Sequence, residues 1–375
     1  MDSKDIIPLS SKHRTAVFYI LLGIFIVIVP LLGFYANGYR YNFDSDTPAV
    51  TVTGGLYIAT LTDDSEIYLN DKSVDNTRFF RQATYIQGVE EGMHRIHVQG
   101  EGLQTWVKRL PVYPQLVTEA SAFTIPKVSQ LRPITRYIDS ERQPVFVGVA
   151  SSSTPFSFAS STVLVNFSTS TATSTHTKNQ EYALLTEKFS QDEHQQNRNT
   201  GDLFRFSTSE TESEATATTT VVRNDIALLE KNSGIYAEYR GSLEDIPYYF
   251  CVPKDSFAST SARYGEHIAQ AVADTRQSTT SIDYERGVRF EEVCRTEIKL
   301  DTRGKKTISF AFVPNVSDLV LLHQADGVYV TEIDDRAWQN HQQLYPNGDI
   351  EMLVEGGQIF IKEGDYFAEL FIELQ

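Results

Sequence analysis

Residues 318–329 read DLVLLHQADGVY, and the same pattern occurs 93 residues earlier, where residues 225–236 read DIALLEKNSGIY. In each copy an Asp precedes an apolar run, a four-residue polar turn follows, and a Gly begins a second apolar run. Short apolar runs bounded by turn residues are typical of β-strands. Both copies therefore predict a β-hairpin, and a looser third copy runs from Asp349 through Gly357 to Phe360.

Hairpins repeated at a fixed spacing are typical of β-propeller blades. We expect residues 127–375 to form a β-rich domain, with about five or six blades of roughly 40–45 residues. The region resembles degenerate β-propellers, and the WD and kelch signatures are absent from it. A further β-sandwich or a barrel is the alternative, because any two hairpins with similar turns share this pattern.

Two other features lie inside this region. The tracts 151–175 and 207–220 are rich in Ser and Thr. They are interpreted as long surface loops, with an O-glycosylated or extended stalk as the alternative. Residues 259–277 predict a single amphipathic helix inserted among strands, because apolar residues recur there at helical spacing.

The preceding block, residues 53–126, alternates short apolar runs with Gly and Asn-Asp turns. Strands are predicted at 56–59, 67–69, 94–98 and 106–110. Turn signals between them include Gly54-Gly55, Asn70-Asp71 and Gly92. Some six or seven short strands in about 70 residues predict a small β-sandwich.

The same block resembles a PEGA domain, a small surface β-module. The resemblance rests on residues 55–58 (GLYI), 66–71 (EIYLND), 91–98 (EGMHRIHV) and 102–108 (GLQTWVK), which follow the order and spacing of that family. The chain departs from the family at residues 62–65 (TDDS), where Pro-x-Gly-Ala is usual, and at Asp71, where Gly is usual. The resemblance implies a non-catalytic role in surface binding or structural presentation.

Near the N-terminus, residues 16–36 read AVFYILLGIFIVIVPLLGFYA and contain no charge. At about 1.5 Å per residue a helix of this length spans roughly 30 Å, the thickness of the hydrocarbon layer. We predict a transmembrane helix in contact with lipid, because a buried core helix rarely lacks a polar face over such a length. A retained anchor is favoured over a cleaved signal peptide, because the apolar core is long and no small-x-small site follows it.

The charges beside this helix predict its orientation. Lys4, Lys12 and Arg14 precede it, whereas Arg40 alone follows closely. The positive-inside rule then assigns residues 1–15 to a cytoplasmic tail and the C-terminal bulk to the extracytoplasmic side of the cell membrane. Residues 37–52 are interpreted as a stalk.

Little in the chain indicates chemistry. A net charge of −16 argues against nucleic acid as a partner, because phosphate binding requires clustered cations. The two cysteines, Cys251 and Cys294, are interpreted as either a disulfide or two buried thiols. The doublets Asp63-Asp64 and Asp334-Asp335 are expected to be solvated turn residues rather than calcium ligands, and both tryptophans, Trp106 and Trp338, are expected in the core rather than on a sugar.

No catalytic, cofactor-binding or metal-binding residue is predicted, because the chain contains no nucleophile elbow, P-loop or zinc motif. The sequence therefore predicts a non-enzymatic, single-pass membrane protein with a binding or structural role at the cell envelope. Its expected partners are the membrane lipid and an envelope polymer or protein. The alternatives are a propeller-based extracytoplasmic enzyme, such as a glycosidase or lyase, and a sensor ectodomain acting through a membrane partner.

Overall fold

The computed structural model describes residues 11–42, 49–62, 65–74, 83–138, 144–148, 155–158, 161–164, 220–277, 283–285, 291–364 and 366–372. Over these residues the protein is mainly β, with one long helix near the N-terminus, which confirms the predicted class. The Ser/Thr-rich tracts and Asp63-Asp64 lie mostly or wholly outside the described residues. The chain divides into two compact units, one formed by 1–59, 77–94 and 111–120 and the other by 60–76, 95–110 and 121–375.

Helix α1 (Ser11–Ala36) belongs to the first unit and contains the whole predicted transmembrane segment. Among the helices of the described chain, it is the one long and apolar enough to cross a membrane. None of its apolar window is buried against the protein. This exposure is the opposite of what a core helix would show, because a core helix buries its apolar side chains.

The C-terminal end of α1 is surrounded by aromatic and cationic side chains. The Arg40 guanidinium lies 3.5 Å from the centre of the Tyr35 ring and donates a hydrogen bond of 2.7 Å to the Tyr35 carbonyl. The rings of Phe34 and Tyr39 meet edge to face at 5.6 Å. Beyond them Tyr39–Asn42 pairs with the start of the strand Ala49–Thr60, so part of the segment interpreted as a stalk is paired β-structure.

Two four-stranded sheets occur between residues 39 and 122. The first has the order β1-β2-β5, with β8 also paired to β2, and its strands are β1 (Tyr39–Asn42), β2 (Ala49–Thr60), β5 (Ala83–Glu90) and β8 (Val117–Ala122). The second has the order β4-β3-β6-β7, and its strands are β3 (Glu66–Leu69), β4 (Lys72–Ser73), β6 (Gly92–Gln99) and β7 (Trp106–Val112). All four strands predicted in this block are present.

Four further sheets are described in the second unit. The strands of the largest sheet are β9 (Gln130–Ile138), β10 (Pro144–Gly148), β11 (Pro155–Phe158), β12 (Ser161–Leu164), β24 (Glu351–Glu355), β25 (Gln358–Glu363) and β26 (Tyr366–Phe371). Their order is β11-β12-β9-β26-β25-β24, and β10 also pairs with β9. Two are four-stranded meanders: β13 (Thr220–Arg223), β14 (Ile226–Lys231), β15 (Gly234–Tyr239) and β19 (Glu297–Lys299), then β20 (Thr307–Phe312), β21 (Leu319–Gln324), β22 (Gly327–Glu332) and β23 (His341–Tyr345). The last has the order β16-β18-β17, with β16 (Cys251–Pro253), β17 (Asp283–Glu285) and β18 (Glu291–Cys294).

The sequence repeat is a repeated hairpin, as predicted, but the predicted four-residue turns are wrong, because the first two of the four residues belong to the strand in each copy. β14 and β15 are joined by a two-residue turn closed by Lys231 and Gly234, and β21 and β22 by one closed by Gln324 and Gly327. The looser third copy is the hairpin β24–β25. Positive φ at both central residues is required by a type I′ turn, and Asn and Gly adopt it most readily. Such pairs occur at Asn224-Asp225, Asn232-Ser233, Gly356-Gly357 and, in the first block, Asn70-Asp71.

Strands β15 and β19 are neighbours in their sheet, although residues 240–296 separate them in sequence. This segment, here called the excursion, contains β16, β17, β18, two short 3-10 helices (Leu243–Asp245 and Tyr248–Phe250) and two α-helices, α2 (Phe257–Tyr264) and α3 (Glu266–Gln277). The prediction of one continuous helix at 259–277 is wrong. Gly265 has φ 94° and ends α2, because this left-handed conformation cannot continue an α-helix.

A single apolar cluster joins the two meanders to the excursion. Its members come from β14, β15, β19, β20 and β21 and from the segment around the cysteines: Ile226, Leu228, Ile235, Ala237, Tyr239, Ile246, Tyr249, Phe250, Cys251, Cys294, Ile298, Leu300, Phe312, Val320, Leu322 and Ile333. The excursion is therefore packed into the core of the second unit rather than lying loose on its surface.

Candidate functional site

The loop 333–340 connects β22 to β23 and has an unusual backbone. Ala337 has φ 128°, a value that residues with a Cβ rarely adopt, and its N–H donates to the Asp335 carbonyl at 2.8 Å. A non-glycine residue in such a conformation costs on the order of 1–3 kcal/mol and persists only when its surroundings hold it. The next residue, Trp338, has 40% of its surface exposed.

Trp338 lies in a cleft of about 660 Å³ within the second unit. Three parts of the chain form its walls: the pair β15 and β19 with the residues that follow β19, the helix α3, and the loop 333–340. The polar and aromatic side chains on these walls include Tyr236, His267, Lys299, Asp301, Trp338 and Gln339. This size lies in the range of cavities that bind small molecules.

Two of the residues that line the cleft, Arg295 and Asp335, form a buried ion pair. Arg295, at the end of the excursion, donates two hydrogen bonds to the carboxylate of Asp335, at 2.9 and 2.7 Å. Burial alone would lower the pKa of Arg295, but the charge of Asp335 and its hydrogen bonds outweigh burial and raise this pKa. Among the described residues, Arg295 Nε has no hydrogen-bond partner although it is buried.

The rim is fixed by hydrogen bonds to Gln339. Its side-chain amide donates to the Ile333 carbonyl at 2.9 Å, and its side-chain oxygen accepts from the Asp301 N–H at 2.5 Å. Arg303 donates to the Gln339 carbonyl at 3.3 Å. The loop 333–340 is therefore tied to the segment after β19, and both walls of the cleft are held together around Trp338.

A second group of buried charges lies on the same loop. Lys108 is wholly buried, and its ammonium lies 2.9 Å from Glu332 Oε1 and 3.1 Å from Asp334 Oδ2. Arg336 forms two hydrogen bonds of 3.0 Å to the carboxylate of Asp334. We call Lys108, Glu332, Asp334 and Arg336 the ion cluster; with two cations and two anions its formal charges cancel.

Glu332 is the most completely satisfied member of the ion cluster. One carboxylate oxygen accepts from Trp106 Nε1 at 3.0 Å. The other accepts from Lys108 at 2.9 Å and from the backbone and side-chain amides of Asn340 at 2.7 and 2.8 Å. This carboxylate fixes Asn340, the last residue of the loop, to β7, because Asn340 also donates to the Val107 carbonyl at 2.8 Å.

The two carboxylates of the ion cluster have pKa values shifted in opposite directions. Burial raises the pKa of Glu332, and the charge of Lys108 opposes this only in part. Burial would also raise the pKa of Asp334, but the charges of Arg336 and Lys108 outweigh it and hold that pKa well below its usual range. Such a divergence is typical of acid–base pairs in enzymes. Both side chains, however, are buried and do not line the cleft.

Several residues singled out in the sequence lie elsewhere than expected. Asp334 and Asp335 are buried and ion-paired, so their interpretation as solvated turn residues is wrong. Trp106 is wholly buried, as predicted, whereas Trp338 is not in the core. The run of charged residues Asp334-Asp335-Arg336 near Trp338 was the available indication of ion pairing in the sequence. It did not indicate that the distant Lys108 would be a partner.

The two cysteines form a disulfide, which settles the alternative left open by the sequence. They lie opposite each other on the antiparallel strands β16 and β18. Glu292 lies near both sulfurs in a grouping that resembles a metal site. The cysteines are oxidised, however, and a metal ion binds thiolates rather than a disulfide.

The histidines near the first block do not converge either. His97 stacks on Tyr68 with ring centres 4.5 Å apart, and His94 lies within hydrogen-bond distance, 2.7 Å, of the Glu90 carbonyl. The cleft is therefore the grouping of exposed aromatic, charged and amide side chains on which a function can be argued. No protein-family model, no curated protein and no solved structure matches the chain.

Proposed function

We propose that this protein is a non-enzymatic, single-pass membrane protein whose extracytoplasmic portion binds an envelope polymer or a partner protein through the cleft around Trp338. The observation that carries the proposal is this exposed indole, which lines a cleft and follows the strained Ala337. A large apolar side chain that is exposed in a preformed concave site is typical of a binding surface.

Helix α1 supports the membrane anchor. Its apolar side chains are exposed along its length, and their cost in water would be large, since burial is worth roughly 25 cal/mol per Å² of apolar surface. Lipid is the solvent that matches this surface. The aromatic residues at its end, Phe34, Tyr35 and Tyr39, together with Arg40, are the residue types enriched where a helix leaves the hydrocarbon layer.

The disulfide supports the proposed orientation. Disulfides persist in oxidising compartments and are rare in the cytoplasm. The pair Cys251–Cys294 belongs to the portion that the positive-inside rule places outside, so the two arguments agree although they rest on different residues.

We also propose that residues 127–375 form a propeller-like domain. Support comes from the strand order: the C-terminal strand β26 pairs with β9, the first strand of the region, as in propellers that join both chain ends in one blade. The consecutive meanders β20–β23 and β24–β26 begin 44 residues apart, at Thr307 and Glu351. Every residue of β21 and β22 is buried, as expected of a blade covered on both faces.

The PEGA resemblance of residues 53–126 stays part of the proposal. It is supported by the turn at Asn70-Asp71 and by the four strands found at the predicted positions. It is compatible with a binding role, because the family's implied role is surface recognition rather than catalysis.

The test is retention of envelope material by the full-length protein in lipid nanodiscs. We expect the wild-type protein to retain a polymer or protein from isolated envelopes, and we expect Trp338→Ala to lose most of that retention. Phe257→Ala is the matched control, because Phe257 is an aromatic residue exposed to a similar extent, 47%, on α2 and does not line the cleft. Equal retention by all three proteins would refute the cleft as the binding site.

The topology has its own test in intact cells. A membrane-impermeant protease should digest the portion that follows α1 and leave the segment before it protected. Recovery of the full-length protein in the soluble fraction, or protection of the C-terminal portion, would contradict the proposed anchor or its orientation.

An enzyme is the second candidate, because the pKa values of Glu332 and Asp334 diverge as in an acid–base pair. It requires a substrate to reach a carboxylate that is already fully hydrogen-bonded. Hydrolysis of envelope polysaccharide by the wild-type protein and its loss in Glu332→Gln, without loss of folding, would favour this candidate over binding.

A further inference from the structure

We propose that the cleft binds a neutral saccharide chain, with one sugar ring stacked on the indole of Trp338. The inference rests on the proposed binding function and specifies the ligand class. A pyranose ring presents C–H groups on its faces and hydroxyl groups around its edge. It therefore requires an aromatic platform and, around that platform, side chains that both donate and accept hydrogen bonds.

The platform is provided by the indole. Trp338 is exposed over 40% of its surface, and Tyr236 on β15 lies half-buried on the cleft wall. An indole offers a large, flat and rigid contact surface with little side-chain entropy to lose. The other tryptophan, Trp106, is wholly buried, so the chain places one indole in the core and the other where a ligand can reach it.

The polar groups of the cleft suit hydroxyl groups. Arg295 and Asp335 line the cleft as a buried ion pair, and the Gln339 amide lines it as well. Asp301 provides exposed acceptors and Lys299 exposed donors on the same walls.

The charges of the cleft argue against an anionic ligand. Its cations are Arg295 and Lys299, and its anions are Glu297, Asp301 and Asp335. Arg295 is already paired with Asp335, and Glu297 pairs with Lys231 outside the cleft. A polyanion would gain little from a cleft with three acids and two bases on its walls, and it would meet the −16 charge of the whole chain. A neutral ligand does not depend on unpaired cations and is not repelled by the negative charge of the chain.

The loop carrying Trp338 is preorganised, which favours weakly interacting ligands such as sugars. Ala337 is held in a strained conformation, Gln339 is tied on both sides, and Asn340 is bonded to Glu332. Fixing a binding residue before the ligand arrives reduces the entropy lost on binding. The binding energy of a single sugar ring is small, so this saving decides whether binding is measurable.

The test uses full-length protein in lipid nanodiscs and four probes: the neutral tetrasaccharides of N-acetylglucosamine, cellotetraose and maltotetraose, and an acidic hyaluronan tetrasaccharide. Affinity is measured by isothermal titration calorimetry. Acrylamide quenching of tryptophan fluorescence reports on Trp338, because Trp106 is buried. We expect at least one neutral probe to bind saturably and to reduce quenching.

The variants identify the platform. Trp338→Ala should weaken binding of the neutral probe at least about tenfold, a loss of roughly 1.4 kcal/mol or more. Trp338→Phe should recover part of this loss because it keeps an aromatic face, and Phe257→Ala should bind as the wild type does. Both exposed positions tolerate substitution without a cavity in the core, so the proteins are expected to fold; their thermal unfolding is measured alongside.

Three outcomes would overturn the inference: no neutral probe binds, the acidic probe binds more tightly than every neutral one, or Trp338→Ala leaves affinity unchanged. The proposed function is judged separately by retention of isolated envelope material. Retention that depends on Trp338 without binding of any neutral probe overturns the saccharide assignment and leaves the binding function standing. Absence of any Trp338-dependent retention overturns the function as well.

Discussion

Replacing Lys108 with Met tests whether the ion cluster is held together as described. The Lys108 side chain is fully buried and contacts Glu332, Asp334 and the Asp334 carbonyl, at 2.9, 3.1 and 2.7 Å. Met is similar in length and keeps the apolar packing, so the main loss is the charge. Removing one partner of a buried ion pair costs about 3–5 kcal/mol, because the other charge stays buried without compensation. Asp334 keeps Arg336, whereas Glu332 loses its one cation among the described contacts.

This loss is measured as a change in the thermal unfolding midpoint of the full-length protein. For a domain of this size, 1 kcal/mol corresponds to roughly 2–4 °C, so we expect a decrease of about 6–20 °C. Fluorescence is recorded in a Trp338→Phe background, which leaves Trp106 as the single indole. Trp106 donates to Glu332 at 3.0 Å and therefore reports on the ion cluster itself.

Two matched variants sharpen the result. Lys305→Met removes a lysine paired with Asp326 at the surface, where the side chains are 41% and 49% exposed, and should lower the unfolding midpoint far less than Lys108→Met does, because solvent screens this pair. The double variant Lys108→Met/Glu332→Gln removes both buried charges and should recover at least about half of the loss. The reasoning fails if Lys108→Met and Lys305→Met lower the midpoint equally, or if the double variant is less stable than Lys108→Met.

Three further predictions concern other parts of the chain. Because the disulfide closes a segment of 43 residues, Cys251→Ser/Cys294→Ser should lose about 2–4 kcal/mol of stability, and a reducing agent should lower the unfolding midpoint of the wild type but not of this variant. Burial, aided by a nearby arginine, lowers the pKa of His341 to about 4. As the pH falls from about 6.5 to 4, the unfolded chain therefore takes up a proton before the folded protein does, and up to about 3 kcal/mol of folding stability is lost over that range. His341→Phe keeps an aromatic ring and should flatten this part of a curve of stability against pH. An unchanged slope would contradict the assignment. A Cβ at Gly54 would lie 2.2 Å from a backbone oxygen, so Gly54→Ala should cost at least about 1–3 kcal/mol by thermal unfolding, whereas Gly23→Ala, which meets nothing within 4 Å, should match the wild type.

The hairpins could be predicted from the sequence because their causes are local. A type I′ turn depends on the two residues at its centre, and the strands beside it depend on short apolar runs. The repeat around Asp225 and Asp318 was found from its apolar runs, and the turn at Asn70-Asp71 from its two central residues. The long apolar helix was equally clear, because its lack of charge is a property of one continuous stretch.

The site could not be predicted because its causes are not local. Lys108 and Glu332 are 224 residues apart, and only the fold brings them together. When no cationic partner is known, the side chains of an Asp-Asp doublet in a loop are expected to be exposed to solvent. The break at Gly265 was missed for a simpler reason: apolar spacing continues through the glycine, and φ 94° leaves no trace in the pattern. The disulfide likewise depends on the register of β16 with β18.

The loop 333–340 connects the buried charges to the exposed indole, and this connection explains why charges are buried there at all. Replacing a complete buried ion network with apolar residues of the same volume is often neutral or stabilising, so the ion cluster is not needed for stability alone. Apolar residues cannot form directional hydrogen bonds. Asp334 and Asp335 accept such bonds and Asn340 donates one, and each bond restrains one residue of the loop. A loop held at these positions can retain the strained Ala337 and keep Trp338 exposed rather than let it collapse into the core. The cost of burying these charges is then set against a loop held rigid around Trp338, which is what the proposed binding function requires.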